Sequence, residues 1–157
     1  MGKVMPAEEL KRELDSLRAV GKRIVFTNGC FDIIHAGHVR YLREARRLGD
    51  LLVVGLNSDA SVGRLKPGRP LIVEEQRAEV LSSLEMVDYV SLFGEDTPYR
   101  LIGLLRPDVL VKGGDWKRED IIGSDLVPET FSLPYVDGMS TSAIVERMRR
   151  AGQTKDS

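Results

Sequence analysis

The chain has a single cysteine, Cys30, among its 157 residues. An intramolecular disulfide is therefore excluded, and so is a cysteine-rich structural zinc site. Histidine is almost as scarce, with only His35 and His38. Long apolar runs are missing. The longest plain one, Leu51 to Leu56, is about a third of the ~20 residues that cross a bilayer. The N-terminal stretch MGKVMPAEELKRELDSL holds no apolar segment of signal-peptide length, so no membrane role is expected and the expected compartment is the cytoplasm. An excess of charge is also lacking. Lys and Arg number 23 against 24 Asp and Glu, a net charge of −1, which leaves no global positive field for nucleic-acid binding. What is present is an apolar share of 42% and a charged share of 30%. That is too apolar for a disordered chain and, at this length, fits one globular domain.

Periodicity predicts alternating helices and strands. Residues 6–20 read as a helix, with Pro6 at its start, Glu8 and Glu9 at its positive end, Leu10, Leu14 and Leu17 on one face, and Gly21 as its stop. Strands are expected at 23–27, 51–56, 88–93 and 108–112, with a fifth at 131–135. Helices are expected at 37–48, 74–86, 98–105 and 140–150. The run 51–56 is continuously apolar, as in strands buried on both faces of a parallel sheet. This order implies βαβ units and an α/β fold: a Rossmann-like, doubly wound parallel sheet in a single domain. The divisions expected are an N-terminal helix at 1–22, the main domain at 23–150 and a polar, frayed tail at 151–157. The loop 58–73, with its KPGRP stretch, reads as the most mobile segment. In such a sheet the site belongs at the carboxyl ends of the strands.

At the first of those ends the chain reads Thr27-Asn28-Gly29-Cys30-Phe31-Asp32-Ile33-Ile34-His35-Ala36-Gly37-His38. Both histidines sit where a strand turns into a helix. A helix N-terminus presents unpaired N–H groups and about half a positive charge, which favours a phosphate. Gly29 and Gly37 would let a phosphate approach the backbone closely. His35 and His38 can project to one side and follow phosphoryl charge as a transition state forms. Metal ligation by the pair is the other reading, but no cysteine or third histidine completes a site, and no metal is assigned to the protein itself.

This string resembles the signature of the nucleotidyltransferase superfamily that includes the cytidylyltransferases and the class I aminoacyl-tRNA synthetases. Within it the chain most resembles the adenylyltransferase module of ADP-heptose synthesis, which acts on D-glycero-β-D-manno-heptose 1-phosphate. The likeness runs from about Arg23 to Arg150. It also rests on Leu56 to Val62, Arg64-Leu65-Lys66, Arg69-Pro70, Glu75-Gln76-Arg77, Glu95 to Pro98, Arg106 to Trp116, and Ser140-Thr141-Ser142. H-x-G-H alone is weakly specific; followed in order by VKGGDW and STS it is strong.

The resemblance implies catalytic roles for His35, His38 and Lys66. It implies nucleotide contacts from Thr27, Asn28, Gly29, Cys30, Phe31, Asp32 and Gly37, from Asn57, Asp59 and Arg77, from Lys112, Gly113, Gly114 and Asp115, and from Ser140, Thr141 and Ser142. Physical reasons stand beside some of these. Two glycines at a strand's carboxyl end let a flat ring lie against bare backbone. Three hydroxyls at a helix start make a second anion site, although each could equally be a cap. At Cys30 the backbone N–H is expected to face phosphate while the thiol packs. Trp116 divides evenly between core and binding.

The activity implied is transfer of AMP from ATP to a sugar 1-phosphate, with magnesium carried by the ATP. The partners implied are ATP and a sugar or polyol phosphate, no nucleic acid and no membrane, in a chain that pairs as a homodimer. A polyol-phosphate cytidylyltransferase and a non-catalytic nucleotide-binding module are the alternatives. The glycerol-phosphate enzymes carry Arg-Thr-Glu-Gly before their Ser-Thr, where this chain has Tyr135-Val136-Asp137-Gly138. The stretch 123–138 is also shorter than in heptose enzymes and lacks their Gly-Gly turn. No sugar-kinase module of the kind fused to many of them is expected with this chain, and a separate kinase is then expected to supply the acceptor's phosphate.

Overall fold

The computed structural model describes residues 1–134 and 140–153. Along the chain run β1 (Lys3–Val4), α1 (Ala7–Ala19), β2 (Ile24–Gly29), α2 (Ala36–Arg46), β3 (Leu51–Asn57) and α3 (Asp59–Leu65). They are followed by α4 (Glu74–Ser82), β4 (Tyr89–Phe93), α5 (Tyr99–Leu105), β5 (Val109–Gly113), β6 (Glu129–Leu133) and α6 (Thr141–Gln153), with two short 3₁₀ turns between β5 and β6.

All strand pairs are parallel, in the order β1-β4-β3-β2-β5-β6. This is a Rossmann-like, doubly wound sheet with helices on both faces. The central strands are buried from both sides, which is why they read as unbroken apolar runs rather than alternating ones. On one face Val25, Val54, Val109 and Val111 pack against Leu42 and Ala45 of α2 and Ala78 and Leu81 of α4. On the other, Phe26, Val53 and Leu110 pack against Leu10 and Leu14 of α1 and Leu101, Ile102 and Leu105 of α5. Each fully buried Leu, Ile or Val contributes about 1.5–3 kcal/mol of transfer free energy. Gly55 has no room for a side chain: a Cβ there would stand 2.6 Å from the Phe26 ring.

Strand starts are tied by carboxylates. Asp88 accepts from the Leu52 N–H and Asp108 from the Ile24 N–H, both at 2.8 Å. Asp50 accepts from Arg23 N–H at 2.7 Å. The opposite, carboxyl ends are left open for a site. Successive strands run outward from β2 one way through β3 and β4, and the other way through β5 and β6. The order therefore reverses between β2 and β5, the crevice where such sheets bind ligands.

Some expectations need correction. The 58–73 loop begins with a helix, α3, capped by the Ser58 hydroxyl accepting from Ser61 N–H at 3.2 Å. It is seven residues long, too short for a periodic pattern to stand out. The helix expected over 74–86 stops at Ser82, where Ser82 and Ser83 hydroxyls both donate to the Glu79 carbonyl and compete with the helical ladder. The two-residue strand β1 was not foreseen; it hydrogen-bonds to the β4 edge. The first 22 residues share the main core through Leu10 and Leu14. α6 runs to Gln153, into the stretch expected to be a tail. Residues 135–139 lie outside the described residues, including Tyr135 of the expected fifth strand and the Tyr-Val-Asp-Gly stretch, as do 154–157.

Candidate active site

A cleft of about 920 Å³ opens at the β2–β5 crevice. Its floor is the carboxyl end of β2 (Asn28, Gly29, Cys30) and of β5 (Lys112, Gly113). The start of α2 and the start of α6 stand over it.

At the first helix start the two histidines cap each other's turn. The Gly37 N–H donates to His35 Nδ1 at 3.1 Å, and the His35 N–H donates to His38 Nδ1 at 3.2 Å. The rings lie 4.0 Å apart. An imidazole whose Nδ1 accepts a hydrogen bond is neutral with its proton on Nε2. Both rings therefore carry a donor on Nε2. Burial pushes the pKa of His35 down. It pushes that of His38 down to about 4, helped by the charge of Lys66 and by repulsion from His35 whenever that ring is protonated. Capping thus specifies the tautomer that a phosphoryl oxygen needs.

Gly29 serves the histidines in a way that sequence reasoning did not foresee. Its missing side chain makes room for Phe31, whose ring would stand 2.9 Å from a Cβ there. Phe31 turns back through a left-handed backbone (φ 46°), a strained state for a non-glycine residue. Its ring packs 5.3 Å from that of His38.

At the second helix start, Ser140 Oγ accepts from the Ala143 N–H at 3.0 Å and the Thr141 hydroxyl donates to the Ile33 carbonyl at 3.0 Å. The second bond ties α6 to the loop that precedes His35. Residues 140–142 and 35–38, a hundred residues apart in the chain, thus face one cleft.

Not every expected residue lines that cleft. Asn28, Gly29, Cys30, Phe31, Asp32, His35, Gly37, His38, Asn57, Lys66, Lys112, Gly113, Ser140, Thr141 and Ser142 do. Thr27, Asp59, Arg77, Gly114 and Asp115 are not among its lining residues. Thr27 is buried, donating to the Val111 carbonyl at 3.0 Å with its hydroxyl 2.6 Å from Tyr41 OH. Arg77 is fully buried behind the floor. Its guanidinium donates to the carbonyls of Ile72, Cys30 and Asn57 at 2.6–2.9 Å and pairs with Asp59 at 2.8 Å. It braces the wall from behind, and Asp59 is its counter-ion. Gly114 occupies a positive-φ turn (φ 114°), and Asp115 is exposed. Trp116 is 47% exposed, so the core reading of that residue fails.

Asp32 lines the cleft but its carboxylate is committed. It accepts from Arg69 Nη1 and from the N–H groups of Leu71 and Ile72 at 2.8–2.9 Å. Burial alone would raise its pKa; the two amides and the guanidinium outweigh that and hold it below the usual carboxylate range. Among the described residues no group of three His, Cys, Asp or Glu is placed to hold a metal.

Sequence reasoning missed Arg40, Tyr41 and Glu44. With Gly37 they form one stripe of α2 at i, i+3, i+4 and i+7, all lining the cleft, and that spacing was legible. Ile121 and Ile122 also line it. They come from irregular backbone and carried no signal.

The model of one family, described as cytidylyltransferase-like, matches residues 26–147. The chain belongs to the cytidylyltransferase-like family. Within this family it is 54% identical over 152 residues to the "Bifunctional protein HldE" of a Nitratiruptor species, covering 92% of this chain and 33% of that protein. It is 55% identical to the protein of the same name from Syntrophotalea carbinolica, covering 93% of this chain and 31% of the relative. The chain thus spans about a third of the length of these curated relatives. The cytidylyltransferase-like fold also appears in the crystal structure of the lipopolysaccharide core biosynthesis protein from Thermoplasma volcanium. The likeness has a TM-score of 0.64 at 30% identity, covering 74% of this chain and all of the other. No described helix is long and apolar enough to cross a membrane.

Proposed function

We propose that this chain is an adenylyltransferase that moves AMP from ATP to a sugar 1-phosphate. The acceptor proposed is D-glycero-β-D-manno-heptose 1-phosphate, and the products are ADP-heptose and pyrophosphate. The observation that carries the reading is the pair of helix N-termini facing one cleft, one of them bearing two neutral, Nε2-protonated histidines. That arrangement suits a triphosphate. The similarity to the HldE proteins and to a lipopolysaccharide core biosynthesis protein supports the heptose acceptor. So does the resemblance carried by VKGGDW and STS.

No protein nucleophile is needed. An anionic oxygen of the acceptor's phosphate attacks the α-phosphorus of ATP. A new P–O bond forms, the bond to the bridging oxygen breaks, and its electron pair leaves with pyrophosphate. His35 and His38 donate to the phosphoryl oxygens as their charge grows, and Lys66 adds a cation on the same side. Asp32 holds the loop that brings Lys66 there. Magnesium would come with the triphosphate, held by phosphate oxygens and water, since the described carboxylates build no cage for it. A cytoplasmic site of action belongs to the same proposal, because ATP and the sugar phosphate are made there.

The test is pyrophosphate release from four nucleoside triphosphates against a panel of sugar and polyol phosphates. Turnover confined to ATP and heptose 1-phosphate is the expected result. Turnover with CTP and a polyol phosphate, or none with any pair, would overturn it.

A further inference from the structure

The sheet splits between β2 and β5. Among the described residues these two strands pair only at Val25↔Val109 and Phe26↔Leu110, whereas β2 stays paired with β3 as far as Gly29↔Leu56. The crevice that holds the cleft begins at that split. Just past the last pair, the Val111 carbonyl is met by side chains. Thr27 Oγ1 lies 3.0 Å from it and Tyr41 OH 3.2 Å, and the two hydroxyls are 2.6 Å apart.

Each hydroxyl has one proton, so two donors share the three contacts. The triangle joins three elements: Thr27 belongs to β2 and is fully buried, Tyr41 belongs to α2, and Val111 belongs to β5. Thr27 reaches it because its side chain points to the α2 face. Val25 packs on that face, and residues two apart in a strand share one. Where a ladder ends inside a core, a buried carbonyl needs another donor, and the two hydroxyls supply it.

This triangle lies within one turn of the histidines. Tyr41 follows His38 by three residues and Gly37 by four, on one stripe of α2. Much of the hold of α2 on the sheet is apolar, through Leu42 and Ala45. Apolar burial favours contact without specifying direction. A hydroxyl anchored by hydrogen bonds specifies both the height and the rotation of the helix that carries it. At its far end α2 is tied by Arg46, which donates to the Gly49 carbonyl at 2.8 Å and pairs with Asp88 at 3.1 Å. Tyr41 supplies a polar tie to the sheet near the end where the histidines stand.

We propose that Tyr41 and Thr27 are positioning residues. They fasten the start of α2 to the split between β2 and β5, and so set where the Nε2–H groups of His35 and His38 stand over the cleft floor. The proposal rests on the adenylyltransferase reading and deepens it. It gives Thr27 a task in the site although Thr27 does not line the cleft, and gives Tyr41 a task other than ligand contact. Such fastening matters because a misplacement of roughly 1 Å can cost on the order of 10²-fold in rate.

Tyr41→Phe removes one hydroxyl and keeps the ring, while Thr27 still serves the Val111 carbonyl, so the melting temperature should stay near that of the wild type. Its kcat should fall by about 10- to 100-fold. KM for ATP and for heptose 1-phosphate should change little. The pH profile should keep its shape, because the caps that fix the histidine tautomers lie in the first turn of α2 and do not involve Tyr41. Thr27→Val should lose turnover likewise, and Thr27→Ser, which restores the hydroxyl, should recover it. Combining Tyr41→Phe with Thr27→Val should cost less than the product of the single losses, because both act through one network. Normal kcat in Tyr41→Phe would overturn the proposal, and so would a rise in KM for ATP that accounts for the whole loss. Thr27→Val carries the same test if Tyr41→Phe fails to fold. Hydrogen exchange gives a readout free of activity: the amides of residues 39–42 should exchange faster in Tyr41→Phe than in the wild type, while those of 43–46 hold. Unchanged exchange at 39–42 would overturn the fastening. If the wild type releases no pyrophosphate from ATP and heptose 1-phosphate, the adenylyltransferase reading fails, while exchange still decides whether the two hydroxyls fasten α2.

Discussion

The Asp32 carboxylate meets the Arg69 guanidinium at 2.9 Å, with side chains only 4% and 15% exposed, and accepts the N–H groups of Leu71 and Ile72 as well. Through these contacts the segment that follows β2 grips the far end of the loop that carries Lys66. The grip joins two walls of the cleft that are more than thirty residues apart in sequence. On the proposed function Asp32 is therefore a positioning residue, which would act on phosphate only through Lys66. Replacing it by Ala leaves Arg69 buried without a partner and should cost about 3–5 kcal/mol of stability. Urea denaturation measures that cost. Turnover should fall in the same variant with ATP affinity less affected; intact stability together with intact turnover would refute the role.

The histidine donors can be separated from the histidine caps. In His38→Asn the Asn Oδ1 can still accept from the His35 N–H, while the Nε2–H donor is lost. kcat should fall on the order of 10²–10³, as for loss of one transition-state donor, with the melting temperature little changed. Normal kcat would leave His38 as a cap and nothing more.

Stability should also depend on pH through His38. Its pKa is about 4 in the folded chain against 6.5 for the free side chain. Between those values the unfolded chain binds a proton that the folded chain refuses. The fold therefore loses stability as pH falls from about 6.5 to about 4, and regains it as pH rises. Above that window the group contributes no slope. Denaturant midpoints across pH 4–7 should show a shallower dependence in His38→Asn than in the wild type. Nitrogen chemical shifts of the two rings should report Nε2 protonation at neutral pH.

Arg77 separates bracing from binding. With a fully buried guanidinium and four partners, Arg77→Met should destabilise the fold by about 3–5 kcal/mol, since it strips the cation from Asp59 and leaves three carbonyls unpaired. Whatever protein folds should bind Mg-ATP nearly as tightly as wild type. A large loss of ATP affinity at unchanged stability would return Arg77 to the phosphates.

Nucleotide choice and the two-helix anchor can be checked together. A ligand that binds only the folded state stabilises it by about 2.7 kcal/mol at one hundred times its dissociation constant. Mg-ATP should raise the melting temperature more than Mg-CTP at equal concentration. It should also protect the amides of residues 60–70 and 140–143 from hydrogen exchange. Equal shifts with the two nucleotides would remove the adenylyl assignment. Protection at 29–38 without protection at 140–143 would remove the second anchor.

Much of this was legible in the chain itself. The apolar run 51–56, the glycine stops and the strand–helix alternation specify a parallel α/β sheet, because a strand buried on both faces tolerates little else. The place of the site followed from that, since helix N-termini and bare backbone gather where strands end. Motif identity carried His35, His38 and the hydroxyl cluster at 140–142, whose chemistry is local. Tertiary structure alone decided what each polar side chain spends its charge on. Arg77 and Asp59 looked available for the nucleotide, yet they pair with each other, because a fully buried guanidinium must find a partner. Asp32 is spent on Arg69 for the same reason. Gly29 lines the cleft as expected, but that it also makes room for Phe31 is a matter of distance between atoms two residues apart. Thr27 read as part of a motif and Tyr41 as one residue of a helix. That their hydroxyls meet at the Val111 carbonyl depends on where the β2–β5 ladder stops, which no spacing in the sequence encodes.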